Sequence, residues 1–362
     1  MSKTLADRVV NTSLRVKPDE TVVVNTWQHT IGLASEIAFE CRNAGAIPII
    51  RLETDDLWWK VLNKIPGENL RKPERHALKM LEETDVSINL GGPEDPVTYR
   101  RVDGEKLAAS FESFQQYYEK LRERKIRSAD LLIGQVTKQR AKTYGFNYAR
   151  WKKIVEDSSD VDYRKMAQLG RKVAYALEGG KQIEVTTNQG TKLKLEIGSH
   201  PVHIDDGILD EEDLEKGLFI TSIPTGLVVT APLPASAEGT VYFDMPRAQK
   251  GRLIKGLKWE FQSGRLVKAS AEKYPEAFLD IYNNATGDKD IIASFAIGIN
   301  PESRPIGFQS DEFGLGIVSV GIGENRFIGG NNNSDYGFTN SLAKATVRVD
   351  GKNVVEKGKL VF

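Results

Sequence analysis

The chain has little cysteine: Cys41 is the only one among 362 residues. A single thiol forms no disulfide within the chain and cannot supply the several thiolates of a cysteine-rich metal site. Cys41 falls within residues 30–43, which have helical spacing, and we interpret it as a small residue on a helix face. Disulfide frameworks, thiolate metal clusters and a cysteine nucleophile are therefore not expected.

Histidine is also scarce, and none follows residue 203. The remainder of the chain therefore supplies no imidazole to a metal. His200 and His203 form the motif HPVH in a strand-like run, so they lack the i, i+4 spacing that places two ligands on one helix face. His29 lies at the mouth of the first predicted strand–helix turn. It is interpreted either as a hydrogen-bond donor or base, or as an ordinary residue at a helix start.

Net charge is absent, because Lys+Arg and Asp+Glu both number 50. Nucleic acid and anionic membranes bind basic faces, so neither is expected as a partner. No apolar run approaches the ~18 residues of a membrane span, and the N-terminal residues MSKTLADRVV lack the apolar core of a signal peptide. The sequence predicts a cytoplasmic protein, and its length predicts two domains of ~150 residues or more.

Common catalytic motifs are missing as well. The segment NTWQHTIG after the first predicted strand has no glycine-rich fingerprint for a dinucleotide, and no P-loop occurs. No G-x-S-x-G elbow marks a serine hydrolase. Dehydrogenase, NTPase and α/β-hydrolase functions are therefore not expected.

The first 160 residues alternate between β-branched runs and helical segments. The predicted strands cover 21–27, 47–53, 86–90 and 129–134, with helices between them. This alternation predicts an α/β Rossmann-like domain over residues 1–160 with a parallel sheet. Ligands of such sheets bind beyond the carboxyl ends of the strands, so the loops at Asn25–His29, Gly91–Asp95 and Gln135–Arg140 are candidate ligand loops or ordinary surface turns.

Composition changes near residue 160, and residues 161–362 are rich in strands. The run IEVTTNQGTKLKLEI alternates on both sides of Asn188–Gly190, which predicts a hairpin. Further strand candidates cover 218–223, 226–231, 239–243, 252–260 and 265–269. The stretch 291–339 consists of short apolar strands between Gly-rich, Asn-rich and acidic turns. This half is predicted to be an α+β, strand-rich, barrel-like domain with mostly antiparallel strands.

Six motifs follow one another along this second half: LEGGKQIEVTTNQGTKLKLEI, HPVHIDDGILDEEDLEKG, IPTGLVVTAPLPASAEGTVYFD, IGINPESRP, DEFGLGIVSVGIGEN and GGNNNSDYGF. In this order they resemble the thermophilic aminopeptidase T family of metallopeptidases. Its superfamily also includes iron-dependent dihydroxypyridine dioxygenases. The resemblance implies an α/β N-terminal domain, a β-rich C-terminal domain that carries the active site, and a homodimer.

The resemblance also implies a pair of divalent metals, zinc, cobalt or similar, on Glu, His and Asp side chains. Matched one at a time, the ligand positions correspond in this chain to Leu227, Ser294, Ser319, Gly337 and Thr339. Leucine and glycine side chains have no donor atom, and neutral hydroxyls are weak ligands beside imidazole or carboxylate. A tyrosine of the family corresponds to Phe327. We therefore expect a degenerate metal centre and no metal cofactor.

Other readings of the same stretch remain open. Asp311, Glu312 and Asp335 are carboxylates near these positions, so an all-oxygen Mg²⁺ or Ca²⁺ site is one alternative. A metal-free polar pocket for a small molecule is another. The asparagines 331–333 with the following serine and aspartate are equally typical of a turn held by its own side-chain hydrogen bonds.

The sequence thus predicts an aminopeptidase-T-like pseudoenzyme with a hydrolase fold, acting as a non-peptidase binding or regulatory homodimer. The alternative is an active metal-dependent aminopeptidase that removes N-terminal residues from peptides through an unusual oxygen-rich site. The predicted partners are a second copy of the chain and a small molecule or peptide in the old cleft. The predicted binding residues are Leu227, Ser294, Glu312, Ser319, Asp335, Tyr336, Gly337 and Thr339.

Overall fold

A computed structural model describes residues 4–361. The chain divides into two compact units. The first contains the residues up to Ser159 together with Gly207–Pro224, and the second contains Asp160–Asp206 and the residues from Thr225 onward. The sequence prediction draws a single boundary at residue 160, whereas this division returns residues 207–224 to the first unit.

The α-helices alternate with strands in the first unit and are few in the second. α2 begins after a strand and ends before Gly45, whose φ of 83° matches the expected left-handed position just past a helix. The helices are α1 (Leu5–Arg8), α2 (Ile31–Asn43), α3 (Asp55–Lys64), α4 (Gly67–Leu70), α5 (Arg75–Leu81), α6 (Gly104–Glu123), α7 (Lys138–Tyr144), α8 (Tyr148–Ser159), α9 (Tyr163–Glu178), α10 (Glu211–Glu215) and α11 (Glu276–Asn284). Within residues 4–361, none of the helices is long and apolar enough to cross a membrane.

The strands fall into a parallel and a mainly antiparallel set. In chain order they are β1 (Thr21–Trp27), β2 (Ile47–Glu53), β3 (Val86–Asn89), β4 (Arg127–Leu131), β5 (Gln182–Thr186), β6 (Lys192–Asp205), β7 (Ile220–Ile223), β8 (Leu227–Pro232), β9 (Glu238–Tyr242), β10 (Arg247–Gln249), β11 (Arg252–Ile254), β12 (Lys258–Gln262), β13 (Arg265–Ser270), β14 (Ile292–Gly298), β15 (Val318–Gly323), β16 (Gly337–Leu342), β17 (Thr346–Val349), β18 (Lys352–Glu356) and β19 (Lys359–Leu360).

The first unit is built on a five-stranded sheet of order β2-β1-β3-β4-β7. All four pairings are parallel, which confirms the α/β class predicted for this part. The chain passes from β1 outward to β2 and then returns to the other side of β1 as β3. The order of the strands therefore reverses between β1 and β3, which is where open α/β sheets bind ligands.

β7 is a correction to the sequence analysis. The segment 218–223 is predicted there as a strand of the second, mainly antiparallel half. In the structure β7 pairs in parallel with β4, with Asp130 opposite Ser222. A short apolar run predicts a strand but not its partner, because pairing is decided by packing far away in the sequence.

The second unit contains a twelve-stranded sheet in which β16, β15, β14, β8 and β6 are consecutive neighbours. These neighbouring pairs are antiparallel, and β5 and β6 form the hairpin predicted around Asn188–Gly190. A strand-rich, antiparallel second half is thus confirmed. The stretch 291–339 supplies the three consecutive strands β14, β15 and β16, which position the candidate site.

Candidate functional site

One face of β14, β15 and β16 brings together four of the predicted positions. Ser294 pairs with Gly321, and Gly321 pairs with Thr339, so these residues form one row across the three strands. Because side chains alternate along a strand, Ser319 and Gly337 point to the same side as this row. We call this surface the site face, defined by Ser294, Ser319, Gly321, Gly337 and Thr339.

Gly321 has no side chain in the middle of the site face, and the neighbouring hydroxyls fill the space over it. A Cβ atom built on it would lie 2.3 Å from Ser294 Oγ and 2.7 Å from Thr339 Oγ1. The two half-buried hydroxyls therefore converge over a residue with no side chain. Any residue larger than glycine at position 321 would displace one of them.

Ser319 is fully buried beside this row. Its Oγ lies 2.8 Å from Ser341 Oγ, so the two hydroxyls form a hydrogen bond within the sheet. A buried hydroxyl pair of this kind satisfies its own hydrogen-bonding needs. Ser319 is therefore a buried member of the site face whose hydroxyl is already hydrogen-bonded.

Leu227 lies on the same face but farther along the sheet. It opens β8 and pairs with Gly298 of β14 and Asp205 of β6. Gly298 is four residues beyond Ser294, a displacement of roughly 13 Å along an extended strand. The structure therefore separates Leu227 from the Ser294–Thr339 row.

Glu312 covers the Leu227 end of this face. It belongs to the short 3₁₀ helix Gln309–Phe313, and its backbone oxygen lies 2.6 Å from where a Cβ of Gly298 would stand. Burial raises the pKa of the Glu312 carboxyl to about 7, the Arg247 guanidinium opposes this rise, and the Asp205 charge adds to it. Within residues 4–361 the Glu312 carboxyl accepts no hydrogen bond.

The neighbouring Asp311 holds a loop. Its oxygens accept hydrogen bonds from Ile306 N, at 3.0 Å, and from Gly307 N, at 2.6 Å. Burial raises its pKa to about 7 despite these bonds. The Asp311 carboxyl is therefore committed to the backbone between β14 and β15.

Asp335 and Tyr336 do not join the site face. Asp335 accepts hydrogen bonds from Thr286 N at 2.7 Å and Thr286 Oγ1 at 2.9 Å, so both of its oxygens are used. Tyr336 is buried among aromatic rings, with Phe278 and Tyr282 each 6.4 Å away. Burial raises the pKa of Tyr336 well above its usual value. Their predicted binding role remains a prediction.

The asparagine-rich run 331–333 makes a turn held by side chains. Asn332 Nδ2 donates to Ile292 O at 2.9 Å and to Gly323 O at 3.1 Å. Asn325 supports the same turn by accepting from Asn332 N at 2.9 Å and donating to Ala293 O at 3.0 Å. This arrangement corresponds to the structural alternative that the sequence left open for the run.

Sequence reasoning missed two residues that shape this region, Gly321 and Ser341, and considered His203 only as part of the HPVH pair. His203 is buried on β6 and continues the row Ser341–Ser319–Ala296–Val229 across five strands. The alternation in VSVGIG indicates which residues share a side of β15. The register with the other strands, however, is not readable from one sequence. Phe327 lies in the 3₁₀ helix Arg326–Ile328, half-buried.

The residues of the site face do not fit the metals that the resemblance implies. Zinc and cobalt bind imidazole, thiolate and carboxylate, and this face offers two half-buried hydroxyls, a hydrogen-bonded serine and two glycines. Within residues 4–361, no group of three or more His, Cys, Asp or Glu side chains could hold a metal ion. The site face therefore supplies no ligand set for zinc or cobalt.

The fold has counterparts among solved structures. Wild-type AmpT from Thermus thermophilus superposes with a TM-score of 0.76 at 17% identity, over 99% of this chain and 98% of that one. The structure of 2,5-dihydroxypyridine dioxygenase from Pseudomonas putida KT2440 gives 0.64 at 14% identity, over 99% and 96%. These likenesses confirm the fold class.

Sequence comparison identifies the family. No curated protein matches the chain. The model of the thermophilic metalloprotease family M29 matches residues 2–291, a range that contains Leu227 and ends before Ser294, Ser319, Gly337 and Thr339. The strands of the site face thus follow the matched range directly. Because this match covers most of its length, the chain belongs to the M29 thermophilic metalloprotease family.

Proposed function

We propose that this member of the M29 family has lost its metal centre and serves as a non-peptidase binding or regulatory homodimer. The observation that carries the proposal is the composition of the site face. Four of the positions matched to family ligands stand on three adjacent strands, and their side chains are two serines, a threonine and a glycine. These four positions lie close together, and none of them carries an imidazole or a carboxylate.

The end of the family match supports the same view. Sequence similarity to the family model stops at residue 291, although β14, β15 and β16 continue the sheet. If the protein now has a binding role, we expect these strands to persist while the metal-binding side chains are lost. Function belongs to the site and not to the fold.

The oxygen-rich metallopeptidase is less well supported. The carboxylate oxygens of Asp311 and Asp335 already accept hydrogen bonds from backbone and threonine donors. Glu312 lies toward the Leu227 end of the face. A hard divalent cation requires about six convergent oxygens. The three carboxyls contact different segments, so they do not converge on one point.

A small polar molecule or a peptide end is the ligand we propose for the site face. The hydroxyls of Ser294 and Thr339 converge over Gly321, and each hydroxyl can donate and accept hydrogen bonds. The Glu312 carboxyl, whose pKa burial raises to about 7, lies toward the Leu227 end of the face and is not part of this proposed contact.

A peptidase assay tests the proposal. The purified protein is stripped with chelator, dialysed, and assayed on aminoacyl-coumarin substrates with zinc, cobalt, manganese or magnesium added, beside an active metallo-aminopeptidase. We expect no hydrolysis above background with any metal. Metal-dependent turnover that is lost when Glu312 is changed to Gln would establish the oxygen-rich alternative instead.

A further inference from the structure

A row of polar side chains crosses the parallel sheet of the first unit. Asn25 of β1, Asn89 of β3, Asp130 of β4 and Ser222 of β7 are opposite one another in register. Asn25 Nδ2 donates to Asn89 Oδ1 at 2.8 Å, and Asn89 Nδ2 donates to Asp130 Oδ1 at 2.9 Å. The two amides thus form a hydrogen-bond chain that ends on a carboxyl.

This row is unusual for its place in the fold. The opposite face of the same strands is apolar, and Val24, Ile88 and Leu131 are buried there with α1 and α2. Parallel sheets normally bury apolar residues on both faces. The polar row also stands near the carboxyl ends of the strands, at the reversal of strand order between β1 and β3, where ligands of open α/β sheets bind.

The two ends of the hydrogen-bond chain, Asn25 and Asp130, are incompletely paired. Within residues 4–361, the buried Asn25 Oδ1 has no hydrogen-bond partner. Asp130 accepts a hydrogen bond only from Asn89 in the same range, and no lysine or arginine pairs with it. Burial raises the pKa of the Asp130 carboxyl, and the hydrogen bond from Asn89 opposes the rise. A ligand with a positive charge and N–H donors would satisfy both acceptors.

Aromatic side chains lie beside the row. Trp27 follows Asn25 on the same side of β1, and its ring lies 5.6 Å from that of Trp58. Trp58 is 6.1 Å from Phe114 of α6. One turn along α6, Tyr117 Oη accepts a hydrogen bond from Asn25 Nδ2 at 3.3 Å. Faces of Trp, Tyr and Phe attract ammonium and guanidinium groups.

We propose that the first unit binds a small organic cation at this row. Its ammonium or guanidinium group pairs with Asp130, its N–H groups donate to the row, and its hydrocarbon part lies against Trp27, Trp58 and Phe114. The proposal does not depend on the site face of the second unit, since every residue it uses belongs to the first unit.

Calorimetric titration tests the proposal with three probes: agmatine, butylamine, and the neutral butyramide. We expect saturable binding of at least one of the two cations at one site per chain, and much weaker binding of butyramide. Asp130→Asn keeps the acceptor for Asn89 and removes the charge, so it should weaken binding by tenfold or more. Asp19→Asn, the same change at an exposed position of the same unit, should bind like the parent.

A second pair of variants leaves the buried row intact. Phe114 and Phe39 are 44% and 62% exposed on α6 and α2, so lysine at either position should be tolerated. Phe114→Lys places a competing cation beside Trp58 and should weaken binding tenfold or more. Phe39→Lys should not weaken binding. The proposal is overturned if neither cation binds at millimolar concentration, if butyramide binds as tightly as the cations, or if Phe114→Lys or a folded Asp130→Asn binds like the parent.

Discussion

Among single residues, the neighbouring carboxyls of Asp311 and Glu312 have unusually high pKa values. Asp311 is buried and Glu312 is half-buried in the second unit, and burial raises both pKa values to about 7 from ordinary values of 3.8 and 4.5. The folded protein therefore binds more protons than the unfolded chain between these pH values. The free energy of unfolding should fall as the pH rises from about 4 to about 7.

Glu312→Gln tests this linkage. The variant lacks one of the two titrating groups, so its free energy of unfolding should change less between pH 4.5 and pH 8. At pH 8 it should exceed that of the parent by up to a few kcal/mol, since one pKa unit corresponds to about 1.4 kcal/mol. Urea unfolding at a series of pH values measures both. Glu302→Gln, an exposed control, should follow the parent, and an unchanged pH profile in Glu312→Gln would contradict the account.

The buried hydroxyl pair allows a second residue-scale prediction. Ser319→Ala leaves the Ser341 hydroxyl without its partner at 2.8 Å, which should cost about 1–3 kcal/mol of unfolding free energy. Ser341→Ala should cost a similar amount. The double variant should lose less than the sum, because no polar group is then left unpaired. Additive losses in denaturant unfolding would show that the two hydroxyls do not depend on each other.

Among the strands, β14 and β16 have room for larger, metal-binding side chains at some positions of the site face. A Cβ atom on Gly337 would meet nothing closer than 3.7 Å, and its φ lies outside the left-handed region. Ser294 and Thr339 are half-buried, so longer side chains can extend from them. Ser319 is different, because it is fully buried and a histidine there would overpack the sheet.

These differences define a restoration variant: Ser294→Glu, Gly337→His and Thr339→Asp together. Without metal, the two half-buried carboxylates repel each other, so the variant should melt below the parent in chelator. With zinc it should be rescued, because a ligand that binds only the folded state stabilises it. The control Ser294→Gln, Gly337→His and Thr339→Asn has similar shapes without carboxylates and should show little rescue. A variant that zinc fails to rescue would mean that the strands no longer converge as the family centre requires.

Element by element, the sequence predicts what is local and misses what depends on pairing. Periodicity predicts β1, α2 and β2, and the hairpin of β5 and β6, because each is specified within a short segment. The place of β7 and the polar row from Asn25 to Ser222 were not predictable, since each depends on register between strands far apart in the chain. The candidate site was found through family resemblance, and Gly321 was missed because glycine in a strand carries no chemical signal.

At the scale of the whole molecule, the homodimer is the principal prediction. The resemblance implies an interface formed mainly through the second half of the chain, larger than ~1,000 Å² as in stable pairs. β2 offers a rival surface, because it lies at the edge of its sheet and Ile47, Ile49, Ile50 and Leu52 are 36–55% exposed. Exposed apolar edge strands readily pair with another chain.

Light scattering on the parent and on Ile49→Lys with Leu52→Lys separates these cases. We expect a dimer at micromolar concentration for both proteins, since charges on β2 leave an interface in the second half untouched. A monomeric parent would contradict the homodimer. A parent dimer that becomes monomeric in the lysine variant would place the interface at β2.

The loss of the metal centre is tested most directly by metal content. The protein is purified without added metal, incubated with excess zinc or cobalt, passed through a desalting column and measured by plasma mass spectrometry, with a thermal melt in chelator alongside. Because the site face offers no imidazole or carboxylate, we predict far less than one metal per chain and a melting temperature that chelator does not change. One or two tightly held metals per chain, with a melting temperature that falls by several degrees in chelator, would contradict the account.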